Sequence, residues 1–472
     1  MAGFISEIYK NAQVLNYHKR SIDIAGNNLA NINNEDYARQ QILTRDGFMY
    51  TTKAGLQSNG LDSGGLEHVR NQLLDKQILK EISNLSSLQA QDEVLSRVSA
   101  VIAEDIKRAL DPQTLESALE GDVETGTITK SIDEFFNAWQ ELSADPTAEA
   151  AKQSLFGKAE ALISTLNTTG TKITELETFI ASLTAQDNNK IDALLQKVAA
   201  LNIEIAKIEF KGDGMAATLR DEREAALEQL AQYVDVTFTE IADSGGKFTV
   251  TAGSTPITLI DATGAVAGTA ATLLATTTSL QGGRIHGYDQ VSSSGALGTL
   301  KTSLNNLVSQ LVTSVNAVYK SGTNTGNFFN SANSTMSTIA LDSTLTSATS
   351  ITTTGVSGAG AGANDLALAV AELHNKQFST TTGDLFSGTF IEHVTTSVAT
   401  LGSEHNIIKD KIESVDLILS NLKEQRQQES GVSIDQEVAE LMGYQRAFQA
   451  TSRVINILDS MLDVVVNGLV KA

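Results

Sequence analysis

Six histidines, at positions 18, 68, 286, 374, 393 and 405, are the side chains best suited to metal binding or general acid–base work, and their spacing supports neither. No HExxH or HxH pair sets two imidazoles side by side, as a hydrolytic zinc site requires. His393 follows Glu392 and His405 follows Glu404, dipeptides that read as surface or core side chains rather than ligand pairs. Asp221-Glu-Arg-Glu224 offers paired carboxylates, yet on a predicted helix it reads as a solvated face with local ion pairs. Lys211-Gly-Asp-Gly lacks the ordered carboxylates and closing Glu of a calcium loop and reads as a turn. The glycine run at 358–362 lacks the preceding strand and the following Lys-Ser/Thr of a phosphate cradle. There is no GxSxG elbow and no cysteine, which removes thiolate nucleophiles, disulfides and Cys-based metal sites. No catalytic residue, cofactor or metal is expected, so the elements must serve something other than chemistry.

Those elements begin with a helix at each end. Near the C-terminus Leu441, Tyr444, Phe448, Thr451, Ile455, Leu458, Leu462, Val465 and Leu469 alternate steps of three and four. Near the N-terminus Phe4, Ile8, Asn11, Leu15, His18, Ile22, Ala25, Leu29 and Ile32 keep the same rhythm, with Asn11 and His18 as polar register positions. Each series lays one narrow apolar seam along a helix and demands a second helix to cover it. A helix over 434–470 would be about 55 Å long. One seam against one partner is marginal beside the entropy of ordering so long a segment, at roughly 1–2 kcal/mol per residue. Met442, Val454, Ile457, Met461, Val464 and Val466 widen the apolar face beyond what a two-stranded coil uses. Several copies must therefore surround these helices.

Charge separates the ends from the middle. The net charge is −22, with +1 on residues 1–45 and −2 on 434–472, so −21 falls on the interior. An acidic interior excludes a phosphate footprint and disfavours anionic membranes, while near-neutral ends can pack against copies of themselves. The first twenty residues hold Glu7, Lys10, Lys19 and Arg20 and no apolar h-region, so no cleaved secretory signal is expected, and no charge-free apolar run of about 18 residues suggests a membrane span.

Between the ends the chain is mainly α, with a small inserted β domain. Residues 36–70 read as an irregular or β-rich connector, and 69–110 as a long helix. Asp111-Pro112 reads as a helix start. Ile132, Phe135, Phe136, Trp139 and Leu142 share one helical face and read as core. Helical period runs through 155–166, 173–183, 191–210 and 219–232. Around Val234 it gives way to alternating β-branched runs such as Val236-Thr-Phe-Thr and Lys247-Phe-Thr-Val. The predicted division is terminal helices at 1–35 and 433–472, a helical-bundle domain at 36–234, 291–320 and 363–432, and a β domain at 235–290. Residues 321–362, rich in Ser, Thr and Gly, form a loosely ordered loop or short strands. Gly431 breaks the helical pattern, and Ser433 with Gln436 spells a capping box. The two ends are expected to lie side by side, paired in a coiled-coil-like bundle.

Two signatures carry a resemblance. Ala25-Gly-Asn-Asn-Leu-Ala-Asn-Ile-Asn33 with Tyr37-Ala-Arg39, and Gly431-Val-Ser-Ile-Asp-Gln-Glu-Val-Ala-Glu-Leu441 with Tyr444-Gln-Arg-Ala-Phe-Gln-Ala450, resemble the termini of bacterial flagellar axial proteins. Phe135-Phe-Asn-Ala-Trp-Gln-Glu-Leu-Ser-Ala-Asp-Pro146, Leu219-Arg-Asp-Glu-Arg223 and Gln281-Gly-Gly-Arg-Ile-His-Gly287 are similar, within that superfamily, to the hook-associated protein 1 family. The motif residues that match are Asn27, Asn28, Leu29, Asn31, Tyr37, Tyr444 and Gln445. The resemblance implies a structural, non-enzymatic subunit of the hook–filament junction, exported unfolded through the flagellar type III apparatus. It implies terminal helices lining an inner tube and copies of the chain in a helical ring. The implied neighbours are hook protein, hook-associated protein 3 and a cytoplasmic export chaperone on the C-terminal helix; the implied location is the extracellular flagellum. Another axial component, hook or distal rod, is the alternative. An exported enzyme with an outer domain is a third reading.

Overall fold

The computed structural model describes residues 2–46, 49–52, 55–58, 61–110, 128–210, 215–274, 279–360 and 362–469. Asp111-Pro112 and Lys211-Gly-Asp-Gly lie outside the described residues. The chain opens with α1 (Ala2–Ala30), then a connector of β1 (Gln40–Asp46), β2 (Met49–Thr52), β3 (Gly55–Ser58) and β4 (Leu61–His68). β1 pairs with β4 and β2 with β3, both antiparallel, and a register shift at Leu43/Thr44 bends the outer pair. Next come α2 (Gln72–Leu110), α3 (Ile128–Ala144), α4 (Glu149–Glu209) and α5 (Ala217–Ala231). A three-stranded antiparallel sheet follows, β5 (Val236–Glu240), β6 (Phe248–Ala252) and β7 (Ile257–Ile260). The rest is α6 (Ala270–Leu274), α7 (Gly283–Val291), α8 (Ala296–Tyr319), α9 (Asp365–Glu372), α10 (Phe390–Ser430) and α11 (Ile434–Leu469). The chain is mainly α with small β insertions. The inserted sheet stops at Ile260, and the Gln281-Gly-Gly motif leads into a helix, so the β texture ends earlier than the expected residue 290.

The three periodic stretches between 155 and 210 are one helix of 61 residues. Along its polar middle the threonines turn inward on the backbone. Thr165, Thr169, Thr171, Thr174, Thr178 and Thr184 each donate their hydroxyl to the carbonyl four residues earlier, at 2.9–3.0 Å.

The chain divides into two compact units. One holds residues 1–86, 187–284 and 414–472, the other 87–186 and 285–413. The single helical-bundle domain expected over 36–234, 291–320 and 363–432 is thus shared between both, because the division falls inside α2, α4 and α10. The second unit is built on the aromatic face of α3. Phe135, Phe136, Trp139 and Leu142 are fully buried or nearly so, and Trp139 meets Phe328 at 5.2 Å between ring centroids.

Phe328 belongs to the Ser/Thr-rich stretch expected to be a loosely ordered loop or short strands, and Phe329 forms an isolated antiparallel bridge with Leu341. Phe328, Phe329, Met336, Ile339, Leu345 and Ile351 are all buried in this core. Asn316 on α8 pins the segment: its Oδ1 accepts from the amides of Phe328 and Phe329 (2.9 Å each), and its Nδ2 donates to the Phe329 carbonyl at 2.8 Å. The amide of Thr352 donates to Tyr319 Oη at 2.9 Å. A few apolar anchors and one buried amide hold what the composition leaves undefined.

Candidate assembly surface of the terminal helices

α1 and α11 pack against each other in opposite directions: Asn28, near the end of α1, meets Glu437 at the start of α11, while Tyr17 meets Tyr444. Among the expected seam residues, Ala25 is buried, and Ile8, Leu15, Ile22 and Leu29 on α1 are half-buried, as is Ile32 just beyond it. Leu441, Tyr444, Phe448, Ile455, Leu458, Leu462 and Val465 on α11 are half-buried too. Phe4 and Leu469 lie on the helices, but their side chains are outside the described residues. The flank is different. Ile457 is 56 % exposed, Met461 51 % and Val464 70 %, and on α1 Ile5 and Tyr9 are 58 % and 62 % exposed. One apolar line of α11 therefore meets α1, while a second stays exposed among the described residues.

A ring cluster marks the middle of the pair. Tyr17 and Tyr444 meet edge to face at 6.4 Å, and His18 lies 6.4 Å from Tyr444. Burial and the neighbouring Tyr17 push the Tyr444 phenol up to about 12. Burial lowers the His18 imidazole below its ordinary value, which favours the neutral ring at this register position.

At the base of the pair a buried polar clamp joins the two signatures. Asn28 Nδ2 donates to Glu437 Oε2 (3.1 Å) and to the Gln40 carbonyl (2.9 Å), while its Oδ1 accepts from Tyr37 Oη (2.8 Å) and the Gln40 amide (3.1 Å). Arg39 donates from Nε to Glu437 Oε1 and from Nη2 to Glu440 Oε1, each at 2.7 Å. The Arg39 amide also bonds the Ser430 carbonyl at 2.8 Å, where Gly431 ends α10. Burial, with Asp221 and Glu437 nearby, pushes the Tyr37 phenol up to about 12 and keeps it a donor.

Of the motif residues, Asn28 and Tyr37 enter the clamp and Tyr444 the ring cluster. Asn27 and Gln445 are exposed, Leu29 is half-buried, and Asn31 caps back onto the Asn27 carbonyl at 2.9 Å. The capping box is not formed as expected: Gln436 donates its amide forward to Glu440 Oε1 at 3.1 Å. Arg39, Glu437 and Glu440 were not among the expected site residues. Glu437 could have been found, because it continues the seam rhythm one step before Leu441, and a carboxylate in a seam requires a partner. Glu437→Ala is expected to weaken the hold of α1 on α11 by about 3 kcal/mol, since it leaves Arg39 Nε without its acceptor and removes one from Asn28 Nδ2. Amide hydrogen exchange across residues 15–40 checks this, with the second unit unchanged as control.

A second polar constellation corrects the reading of Asp221-Glu-Arg-Glu. Only Glu222 is exposed; Asp221, Arg223 and Glu224 are buried. Arg223 is 0 % exposed, donates from Nη1 to Asn202 Oδ1 (2.9 Å) and to the Gly246 carbonyl (2.6 Å), and stacks 3.4 Å from the centre of the Phe248 ring. It shares its helix face with Leu227 and Leu230, and that register is the missed signal.

The other histidines are held as structural side chains. His393 Nε2 lies 3.0 Å from Ser303 Oγ and its ring stacks on Phe386, His405 meets Asp92 at 2.8 Å, and His374 meets Asp133 at 2.8 Å. Among the described residues no group of three or more His, Asp or Glu is placed to hold a metal ion, and no helix is long and apolar enough to cross a membrane.

Comparison with known proteins follows the same division. The family model for the helical domain of flagellar hook-associated protein FlgK matches residues 113–333, and that for the C-terminal region of the flagellar basal-body rod FlgEFG proteins matches 423–468. Flagellar hook-associated protein 1 of Bacillus subtilis is 23 % identical over 97 % of this chain and 97 % of its own length. The protein of that name from Escherichia coli is 22 % identical over 52 % of this chain and 42 % of its own length. The Salmonella typhimurium relative is 24 % identical over 50 % and 39 %. The match therefore spans about two-fifths of these last two proteins. The solved hook junction protein FlgK of Burkholderia pseudomallei is alike in fold, with a TM-score of 0.54 at 11 % identity over 75 % of this chain and 99 % of that one.

Proposed function

We propose, for a chain that belongs to the flagellar hook-associated protein 1 family, that its paired terminal helices are the surface through which it assembles. The protein is a structural subunit of the hook–filament junction of the bacterial flagellum. The observation that carries the assembly reading is the second apolar line of α11. Ile457, Met461 and Val464 stay exposed although the first line is already against α1. Exposed apolar positions three and four apart ask for a further helix, and the matching surface nearest to hand is that of another copy. In a ring of copies the near-neutral terminal helices face inward as the tube wall, and the acidic remainder faces solvent. The same arrangement supports hook protein on one side, hook-associated protein 3 on the other, and an export chaperone covering α11 beforehand. Passage through the flagellar type III apparatus delivers the chain to the extracellular flagellum, and its role there is not enzymatic.

Deletion of the gene tests the junction assignment. The expected outcome is finished hooks without filaments, and filament protein shed into the medium. Cells without hooks would instead support the alternative, a hook or distal rod subunit.

A further inference from the structure

Beneath the clamp, Arg70 sits among three carboxylates and leaves one oxygen of each unpaired. Arg70, Asp75, Asp221 and Glu224 have side-chain exposures between 6 % and 9 %. Arg70 Nη1 donates to Asp221 Oδ1 at 3.1 Å and Nε donates to Asp75 Oδ2 at 3.1 Å. Glu224 Oε2 also presses against Arg70 Nε, but that nitrogen carries one hydrogen, and it points at Asp75. Glu224 Oε2 is left buried with no hydrogen-bond partner, and so are Asp75 Oδ1 and Asp221 Oδ2. Three orphaned carboxylate oxygens in one buried cluster cannot be relieved by the arginine they surround.

The remaining charged groups do not relieve them. From β4, His68 Nε2 lies 2.7 Å from Asp221 Oδ1, an oxygen already bonded to Arg70. From α10, Arg426 is engaged by Glu228 and comes only within 3.9 Å of Asp75 Oδ1. From α5, Arg223 spends its Nη1 on Asn202 and the Gly246 carbonyl and leaves Nε and Nη2 without a partner, so it bonds none of the three oxygens. Among the described residues no cation gives Glu224 Oε2 a hydrogen bond.

We propose that Glu224 retains its proton in the folded chain at neutral pH and donates it to a neighbouring orphaned carboxylate oxygen, so that Asp75 and Glu224 together carry one negative charge. Two buried carboxyl groups against one N–H ionise one at a time. Asp75 sits in the first turn of α2, where unpaired backbone N–H groups favour negative charge. Glu224 lies on a helix interior face without that support, and burial, with Asp75 nearby, holds its carboxyl above the usual range.

The proton has a mechanical consequence. Arg70 Nη1 also donates to the Asp36 carbonyl and Asp221 Oδ1 accepts from the Ala38 amide, both at 3.4 Å, so this hub holds the loop that carries Tyr37 and Arg39 into the clamp. A group whose carboxyl titrates higher when folded lends stability that is complete below its unfolded value and lost as pH rises through its folded value. Alkaline conditions therefore loosen the loop and, through it, the base of α1.

Infrared spectroscopy of the full chain with carboxyl-13C glutamate reads the proton directly. A buried carboxylic-acid carbonyl band is expected at neutral pH, shifted by the glutamate label, lost on alkaline titration, and missing in Glu224→Gln. No labelled band at neutral pH, or one that persists in the variant, overturns the proposal. Thermal midpoints give the second reading. Between mildly acidic and alkaline pH the wild-type midpoint should fall more steeply than that of Glu224→Gln, and parallel slopes overturn the proposal. Should the variant not fold, the labelled band in the wild-type chain decides alone.

Discussion

Phe448→Asp leaves the second unit folded and abolishes filament growth on the hook. Phe448 is half-buried on the line of α11 that meets α1, so the carboxylate must either lose its water or force the helices apart. Forcing a lone carboxylate into that apolar contact costs about 3 kcal/mol or more, comparable with everything that one seam contributes to the pairing. Leu441→Asp behaves alike and adds repulsion from Glu437 and Glu440 on the same helix turn. Val464→Asp separates pairing within a chain from packing between chains. Val464 is 70 % exposed, so its replacement should keep α1 on α11 yet still block growth. Swarming of a complemented deletion strain and circular dichroism of the purified variants measure both halves. Normal filaments in Phe448→Asp and Leu441→Asp would remove the seam from the account.

Arg223→Ala lowers the stability of the first unit by about 3–5 kcal/mol, as expected when one member of a buried polar set is cut away. Truncation removes one of the two donors to Asn202 Oδ1, takes the Arg223 donor from the Gly246 carbonyl and removes the plane that lies against Phe248. Burial pushes the Arg223 guanidinium down to about 10, so it remains charged at neutral pH. Arg223→Lys does not restore the loss, because an ammonium cannot span two acceptors while stacking flat on a ring. Calorimetry should show the midpoint of that unit falling by roughly 10 °C in Arg223→Ala, and by nearly as much in Arg223→Lys. A shift within a degree or two would mean that the guanidinium is expendable.

What could be read without coordinates was whatever repeats locally. The steps of three and four in Leu441, Tyr444, Phe448 and Ile455 describe a helix face whoever covers it, and the β-branched alternation after Val234 describes strands. The missing cysteine removed thiol chemistry for the same reason, since such sites need a particular residue type.

Burial of charge was not legible, because it depends on partners far along the chain. Arg39 and Glu437 are 398 positions apart, and Asn28 and Glu437 are 409 apart. Nothing near Asp221 tells that Arg70 waits 151 positions earlier. Composition likewise left open whether 321–362 is a loop or short strands, and there a few buried side chains and Asn316 hold a segment that is otherwise rich in Ser, Thr and Gly. Periodicity is a property of neighbours and stays in the sequence; the satisfaction of a buried polar group is a property of the folded neighbourhood, and only the packed chain decides it.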